Sequence, residues 1–176
     1  MKLTVRQLVL AALFAAIMAV CAQLSIPMPI GVPITLQTLA VACCGYILGA
    51  KLGVFSIAAY IALGAVGLPV FSAFRGGIGM LLGVTGGFIW GFIPMVFLCG
   101  YTAQKKPVLA VAGGLCGMLI CHLAGVAQFS VVSGTPFVAS LVAVSAPYLI
   151  KDVCSVVFGY IFARTIKKVL PRVQNV

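Results

Sequence analysis

Long apolar segments alternate along this chain with short connections rich in proline, glycine or basic residues. About 20 helical residues cross the hydrocarbon core of a bilayer, and most of the apolar segments approach that length. The pattern therefore predicts an all-α integral membrane protein, a single bundle domain of six transmembrane helices over residues 1–176. The predicted spans are about 7–26, 36–49, 53–66, 80–101, 108–126 and 147–166. Because the second and third are short, we expect an imperfectly spanned bundle that contains a cavity.

The connections carry the residues that end helices. Pro27, Pro29 and Pro33 fall within a loop over 26–35, where a helix cannot continue. A tight turn is predicted over 49–53, a glycine-rich connection over 67–79 and another turn at 133–136. We interpret the proline-rich loop as a lid, since prolines lower the entropy cost of ordering a loop over a ligand.

The composition excludes a water-soluble protein. Apolar residues make up 64% of the chain, charged residues only 7%, and the mean hydropathy is +1.29. The net charge of +10 does not indicate nucleic acid, because the basic residues are scattered singly or in pairs between apolar spans and form no basic face interleaved with aromatic residues. They are better explained by the lipid bilayer, through anionic headgroups and orientation.

The basic residues predict the orientation. With a cytoplasmic N-terminus, six crossings place nine of the eleven cations on the cytoplasmic side, where positive residues accumulate, and both termini are then cytoplasmic. The nine are Lys2, Arg6, Lys51, Lys105, Lys106, Arg164, Lys167, Lys168 and Arg172.

Three charged residues remain for the outer half: Arg75, Lys151 and Asp152, the only acidic residue. A fixed cation and a fixed anion suit a small ligand with a carboxylate at one end and N–H donors at the other. Neutral partners near the same side are Thr35, Gln37, Gln128 and Tyr148. The alternatives are that both cations contact headgroups, and that Asp152 only pairs with Lys151 or favours the helix dipole.

Other chemistry finds little support. The seven cysteines lie in or beside apolar spans and are interpreted as packing residues, and His122 as a hydrogen-bonded cavity or packing residue, because no metal-ligand set surrounds it. We expect no cofactor. The chain lacks a catalytic residue set for an intramembrane enzyme, since its one acid and one histidine lie on different predicted helices. The sequence also contains no phosphate-binding loop for ATP.

Four segments carry a resemblance to a known family, and they lie over 32–41, 49–53, 60–71 and 85–88. They resemble the biotin-specific S-components, the substrate-capture subunits of energy-coupling-factor (ECF) vitamin transporters. The chain departs from that family at Val84, where proline is usual, and at Ser155, where a lysine is common. Here Lys151 precedes the acid instead.

The resemblance implies a six-helix bundle that captures biotin from outside and passes it inward. Its partners would be a transmembrane coupling subunit and a pair of ATPases, in the plasma membrane of a prokaryote. It supports Asp152 as a ligand residue and leaves open which cation meets the carboxylate. The alternative function is a self-sufficient secondary carrier for biotin or another small carboxylate vitamin.

Small residues recur every four positions on the first helix, at Ala11, Ala15 and Ala19. Such a stripe lets another helix approach closely. The resemblance favours docking of a partner subunit there, and the alternative is packing inside the bundle.

Overall fold

The structure, a computed structural model, describes residues 3–29 and 31–169, which are almost entirely helical. The helices are α1 (Val5–Gln23), α2 (Gln37–Ala65), α3 (Ile78–Leu82), α4 (Gly86–Thr102), α5 (Pro107–Ser133), α6 (Phe137–Val144) and α7 (Ala146–Val169). Strands β1 (Ser25–Ile26) and β2 (Ile34–Thr35) pair antiparallel, and a short 3-10 helix covers Ser72–Phe74. Lys2 and Arg172, two of the cations assigned to the cytoplasmic side, lie outside the described residues.

Helix α2 folds back on itself at Gly49, whose φ of 80° belongs to the left-handed region that favours glycine. The Gln37 side-chain amide donates to the Tyr60 hydroxyl at 3.0 Å. In a straight helix, 23 residues would separate these positions by about 35 Å. The two halves of α2, 37–48 and 50–65, therefore run side by side, at the place where two short spans were predicted.

The bundle packs around α2 and α4. Helix α4 contacts both α2 and α5, while α1 and α7 each lie against α2. Small residues permit the close approaches: a Cβ on Gly45 would come within 2.6 Å of the Val96 carbonyl oxygen, and one on Gly91 within 2.6 Å of the Cys121 Cα. Apolar side chains fill the remaining core, including Met18, Ile57 and Met95.

Three described helices are long and apolar enough to cross a membrane: α1, α2 and α5. The pair α6 and α7, bent by 53°, makes a fourth if it is counted as one span, and α4 is a shorter apolar helix. Large apolar side chains such as Leu8, Val131 and Phe158 are exposed on the outside of the bundle. A surface of this kind requires lipid rather than water around it.

Helix bounds differ from the prediction in the second half of the chain. The segment predicted as one helix over about 80–101 is two helices, because the extended backbone of Gly83 separates α3 from α4. Helix α5 runs to Ser133 and ends at Gly134, whose φ of 69° stops it. Residues 137–144, which lie between the predicted spans 108–126 and 147–166, form α6.

The alanine stripe predicted for docking faces the bundle interior. Ala11 and Ala15 are only 1% and 4% exposed, Ala19 is half-buried, and the Ser56 hydroxyl donates to the Ala11 carbonyl oxygen at 2.7 Å. In this structure the stripe supplies close packing of α1 against α2, which was the alternative interpretation. Ala12 and Ala16 are the exposed alanines of the helix.

Candidate ligand-binding site

A cavity that is partly open to solvent lies beneath the proline-rich loop, and about 70 Å³ of it can hold the centre of a water molecule. Its walls come from that loop, the start of α2, the Phe71–Ser72 segment, α4, α5 and α7. The apolar lining includes Phe88, Phe92, Met95 and Met118, and the polar lining includes Thr35, Gln37, Thr38, Thr85, His122, Tyr148, Lys151 and Asp152. A mostly apolar cavity with a few convergent polar groups is typical of a small-molecule site.

The centre of the polar wall is Asp152, in the second turn of α7 and only 4% exposed. Its Oδ2 lies 3.1 Å from His122 Nε2, and its Oδ1 lies 2.5 Å from Lys151 Nζ. An ionised carboxylate so deeply buried needs such partners, because its desolvation costs several kcal/mol. The Thr38 side chain also bonds the carboxylate. Asp152 is thus surrounded by protein donors at the wall of the cavity.

His122 connects Asp152 to α6. Its Nδ1 lies 2.9 Å from the Ser145 hydroxyl, and its ring packs edge-on against Phe88 at 5.9 Å. A neutral imidazole that donates from Nε2 to Asp152 accepts at Nδ1 from the serine hydroxyl, so both neighbours are satisfied by one tautomer. The histidine is therefore held by three elements and fixes the orientation of the carboxylate.

Two side chains of α7 tie the proline-rich loop across the cavity. Lys151 Nζ donates to the Thr35 carbonyl oxygen at 2.8 Å, and the Tyr148 hydroxyl donates to the Val32 carbonyl oxygen at 2.5 Å. Pairing of Ser25 with Thr35 closes the base of the loop. Since Val32 and Pro33 line the cavity, the loop forms its cover.

Gln37 and Thr35 form a second polar group beside the cavity. The Thr35 hydroxyl donates to Gln37 Oε1 at 3.0 Å, and Gln37 Nε2 donates to the Tyr60 hydroxyl at 3.0 Å. Tyr60 in turn donates to the Val70 carbonyl oxygen at 3.1 Å and packs edge-on against Phe71. This chain of bonds fixes the Gln37 amide and holds the Phe71 segment at the cavity wall.

The structure brings five of the seven predicted binding residues together: Asp152, Lys151, Thr35, Gln37 and Tyr148 all line the cavity. Arg75 is exposed and lies outside the lining; its carbonyl oxygen accepts from the Phe71 N–H at 2.9 Å. Gln128 also lies outside the lining, since its Nε2 donates to the carbonyl oxygens of Leu81 and Gly83, each at 2.8 Å. Gln128 thus satisfies the backbone at the break between α3 and α4.

Sequence reasoning did not assign the apolar wall or the role of His122 as the partner of Asp152. A signal for the wall existed: Phe88, Phe92 and Met95 recur at intervals of four and three residues, which places them on one face of α4. Met118 and His122 share a face of α5 in the same way. No local signal shows that these two faces meet around a cavity.

Comparison with known proteins identifies the relatives of this chain. The model of the BioY family matches residues 1–172. The chain is 45% identical over 123 residues to the biotin transporter BioY of Thermotoga maritima, covering 69% of this chain and 72% of that protein. It is 34% identical over 181 residues to the biotin transporter BioY of Rhodobacter capsulatus, covering 94% and 95%.

The fold has a relative of known structure. The crystal structure of the S-component for biotin from an ECF-type ABC transporter superimposes with a TM-score of 0.87 at 26% identity, covering 95% of each chain. With its apolar helices and transporter relatives, this chain is a multi-pass membrane protein with the S-component fold. The match over nearly its whole length shows that it belongs to the BioY family.

Proposed function

We propose that this chain is the biotin-binding subunit of an ECF-type importer and captures biotin from the extracellular side. The observation that carries the proposal is the Asp152 carboxylate, which lines a mostly apolar cavity between Lys151 and His122. Biotin combines an apolar bicyclic ring, a ureido group with two N–H donors, and a carboxylate on an aliphatic chain. The cavity offers an aromatic and thioether wall for the ring and an ionised acceptor for the N–H donors.

The polar wall favours the ureido group as the partner of Asp152. Lys151 and Asp152 are in contact and act as one donor–acceptor unit. Since the ureido group and the carboxylate lie at opposite ends of biotin, only one of them meets this unit. The ureido group matches both members, because Asp152 accepts from its N–H and Lys151 can donate to its carbonyl oxygen. The carboxylate then extends toward the opening of the cavity.

The orientation of the ligand can be tested with biotin amide, which lacks the carboxylate charge. We expect the same loss of affinity for biotin and for biotin amide when Lys151 is replaced by Gln. A Lys151→Gln loss seen with biotin but absent with biotin amide would instead assign Lys151 to the carboxylate. Arg75→Ala should leave biotin affinity within about threefold of wild type, because Arg75 lies outside the cavity.

We propose six membrane crossings, with both termini in the cytoplasm of a prokaryotic cell and the site near the outer face of its plasma membrane. The support is the reversal of α2 at Gly49, which divides it into two crossings beside α1, α4, α5 and the α6–α7 pair. Lys51 follows that reversal, Lys105 and Lys106 join α4 to α5, and Arg164 and Lys168 lie in the last turns of α7. All these cations then fall on one side, as the positive-inside rule requires.

Energy for uptake would come from partners, a transmembrane coupling subunit and a pair of ATPases. With Ala11 and Ala15 buried, the exposed alanines Ala12 and Ala16 form the small-residue surface of α1 that remains for a coupling helix. Uptake of biotin by cells that express this chain without any coupling subunit would favour the secondary carrier instead.

The experiment that tests the proposed ligand is equilibrium binding of biotin to the purified chain in detergent, with Asp152→Asn and a control. We expect tight binding by the wild type and a loss of about tenfold or more in Asp152→Asn, because a hydrogen bond to a charged group is worth about 1.5–3 kcal/mol. Ser155→Ala is the control, since Ser155 lies one turn along α7 and its hydroxyl bonds only the Lys151 carbonyl oxygen among the described residues. Absence of biotin binding by folded wild-type chain would refute the assignment.

A further inference from the structure

A second cavity, distinct from the ligand site, lies at the opposite end of the bundle. It is open to solvent, offers about 300 Å³ to the centre of a water-sized molecule, and is bordered by the first half of α2, the α4–α5 connection and the end of α7. Along α7, the 16 residues from Asp152 to Lys168 correspond to roughly 24 Å. The proposed biotin site uses none of its residues. We call it the basic groove.

The rim of the basic groove is cationic. Lys105, Arg164 and Lys168 line it. The sequence has one acidic side chain, Asp152, and that carboxylate lies in the other cavity. No acidic side chain therefore stands beside these three cations, and the charge of the groove is complementary to an anion.

The backbone adds to the same field. Helix α5 begins at Pro107, which lines the groove, and its N-cap residue Lys106 provides no side-chain cap. The first N–H groups of a 27-residue helix, with the positive end of its dipole, thus point toward the groove. Helix N-termini in combination with Lys and Arg are typical of sites for phosphate groups.

The floor of the groove is amphipathic rather than polar. Tyr46 and Tyr160 pack edge to face at 5.4 Å, and the Tyr46 hydroxyl donates to the Ala110 carbonyl oxygen at 3.0 Å. At the mouth, Lys105 Nζ stands 4.7 Å from the centre of the Tyr101 ring. Tyrosines with nearby cations are typical of the membrane interface, where a ring contacts the upper acyl chain and the charge meets the headgroup.

The surface next to the groove is apolar and exposed. Val108 follows Pro107 on α5, and Ile161 and Phe162 follow Tyr160 on α7; all three side chains are more than half exposed. An occupant whose charged end sits in the groove can therefore continue along the helices as hydrocarbon. Free phosphate or a soluble acidic peptide would leave these apolar faces unused.

We propose that the basic groove binds the phosphate headgroup of an anionic phospholipid, with the acyl chains lying along the exposed faces of α5 and α7. In the orientation proposed above, this lipid belongs to the cytoplasmic leaflet, where basic pockets between helices recognise such headgroups. Binding itself depends on the groove and not on the transported ligand.

The test is a titration of the purified full-length chain with short-chain phosphatidylglycerol, followed by native mass spectrometry to obtain an apparent Kd. Arg164→Gln combined with Lys168→Gln should raise that Kd at least tenfold. The matched control, Arg6→Gln combined with Lys51→Gln, removes the same charge from cations outside the groove and should change the Kd less than threefold. Biotin binding should persist in both double variants and serves as the check on folding. If the groove variant does not bind biotin, the single variant Lys105→Gln is used in its place, and its Kd for phosphatidylglycerol should rise about threefold.

Other probes identify the anion. Phosphatidylcholine should bind at least tenfold more weakly than phosphatidylglycerol, and inorganic phosphate should displace the lipid only at much higher concentration. Equal losses in the groove and control variants would overturn the proposal, as would equal affinity for the two lipids. Displacement by phosphate at concentrations equal to those of the lipid would assign the groove to free phosphate and also refute a lipid site.

Discussion

The contact between His122 and Asp152 makes a prediction that separates support of the carboxylate from direct contact with the ligand. Asn and Gln each reproduce one nitrogen of histidine: the Asn amide approximates the Nδ1 position and the Gln amide approximates Nε2. His122→Asn therefore keeps a partner for Ser145 and removes the donor to Asp152 Oδ2, which now lies 3.1 Å from Nε2. His122→Gln keeps that donor.

The magnitude follows from the charge on the acceptor. A hydrogen bond to an ionised group contributes about 1.5–3 kcal/mol, which is about a 10- to 150-fold change in Kd. We expect His122→Asn to weaken biotin binding by that factor, and His122→Gln to stay within about fivefold of wild type. The assay is equilibrium binding of biotin to the detergent-purified chain, with the thermal midpoint measured on each variant to verify folding.

A double-mutant cycle completes the design. If His122 acts by holding the carboxylate, His122→Asn adds little once Asp152→Asn has removed it, and the double variant should bind within about threefold of Asp152→Asn alone. Fully additive losses would refute a positioning role and would place His122 in contact with biotin. Equal binding by the Asn and Gln variants would show that the Nε2 contact has no part in affinity.

Three further predictions each concern one local feature: a hydrogen bond, an ion pair and a backbone angle. Tyr148→Phe removes the hydrogen bond to the Val32 carbonyl oxygen that holds the loop over the cavity. A neutral hydrogen bond contributes about 1 kcal/mol, so biotin should dissociate about fivefold faster, as measured by chase with unlabelled biotin. An unchanged dissociation rate would contradict the role of the loop as a cover. Lys151→Met leaves the buried Asp152 carboxylate without its closest cation and should weaken biotin binding at least tenfold in the equilibrium binding assay. If this variant bound biotin with wild-type affinity, the ion pair would be dispensable for binding. Gly49→Ala places a side chain at a φ of 80°, which costs about 1–2 kcal/mol and should lower the thermal midpoint by several degrees. Its control is Gly79→Ala, where a Cβ also meets open space at an ordinary φ, and equal midpoints for the two variants would refute the strain.

Much of the site could be predicted because charge is rare in this chain. An acid and a lysine in an otherwise apolar segment, together with polar residues of the proline-rich loop, fall at one end of the bundle once the apolar spans are laid out. The structure places three of the residues so predicted, Asp152, Lys151 and Tyr148, at a common cavity. Sequence reasoning did not separate them from Arg75, because the direction of a side chain in a glycine-rich connection depends on backbone angles that composition does not determine. Ala73 and Phe74, for example, both adopt positive φ without being glycine.

The pairing of His122 with Asp152 was beyond sequence reasoning for a different reason. The two residues are 30 positions apart on helices α5 and α7. Each helix is apolar on most of its surface, so no amphipathic pattern fixes its rotation about its own axis. The rotation is set by close packing at small residues instead, such as Gly91 of α4 against Cys121, the neighbour of His122. Such contacts cannot be predicted until it is known which helix packs against each glycine and in what position.

The predicted helix ends were wrong where hydrogen bonding of the backbone, rather than the pattern of side chains, determines where a helix stops. The break at Gly83 is stabilised by Gln128, which donates to the carbonyl oxygens of Leu81 and Gly83, and by Trp90 Nε1, which also donates to that of Leu81. The Gly83 carbonyl oxygen accepts from the Gly86 N–H as well. Read from the sequence, Gln128 is a polar residue free to bind a ligand. In the structure its side chain satisfies backbone carbonyl groups at the break between α3 and α4. This need for a hydrogen-bond donor can be recognised only when the positions of α5 and of the break are both known.

The energetics of Asp152 link the fold to the proposed function. A buried ion pair stabilises a protein little, since apolar residues of similar volume in its place are often as stable or more so. Lys151 and His122 offset the desolvation of the carboxylate. Folding alone therefore gives little reason for an acid at this position. A ligand with N–H donors does, because the carboxylate lines the cavity and its desolvation is already offset by the protein. On this reasoning Asp152→Leu should preserve or raise the thermal midpoint of the ligand-free chain while abolishing biotin binding. A variant that unfolds would show instead that Asp152 is required by the fold.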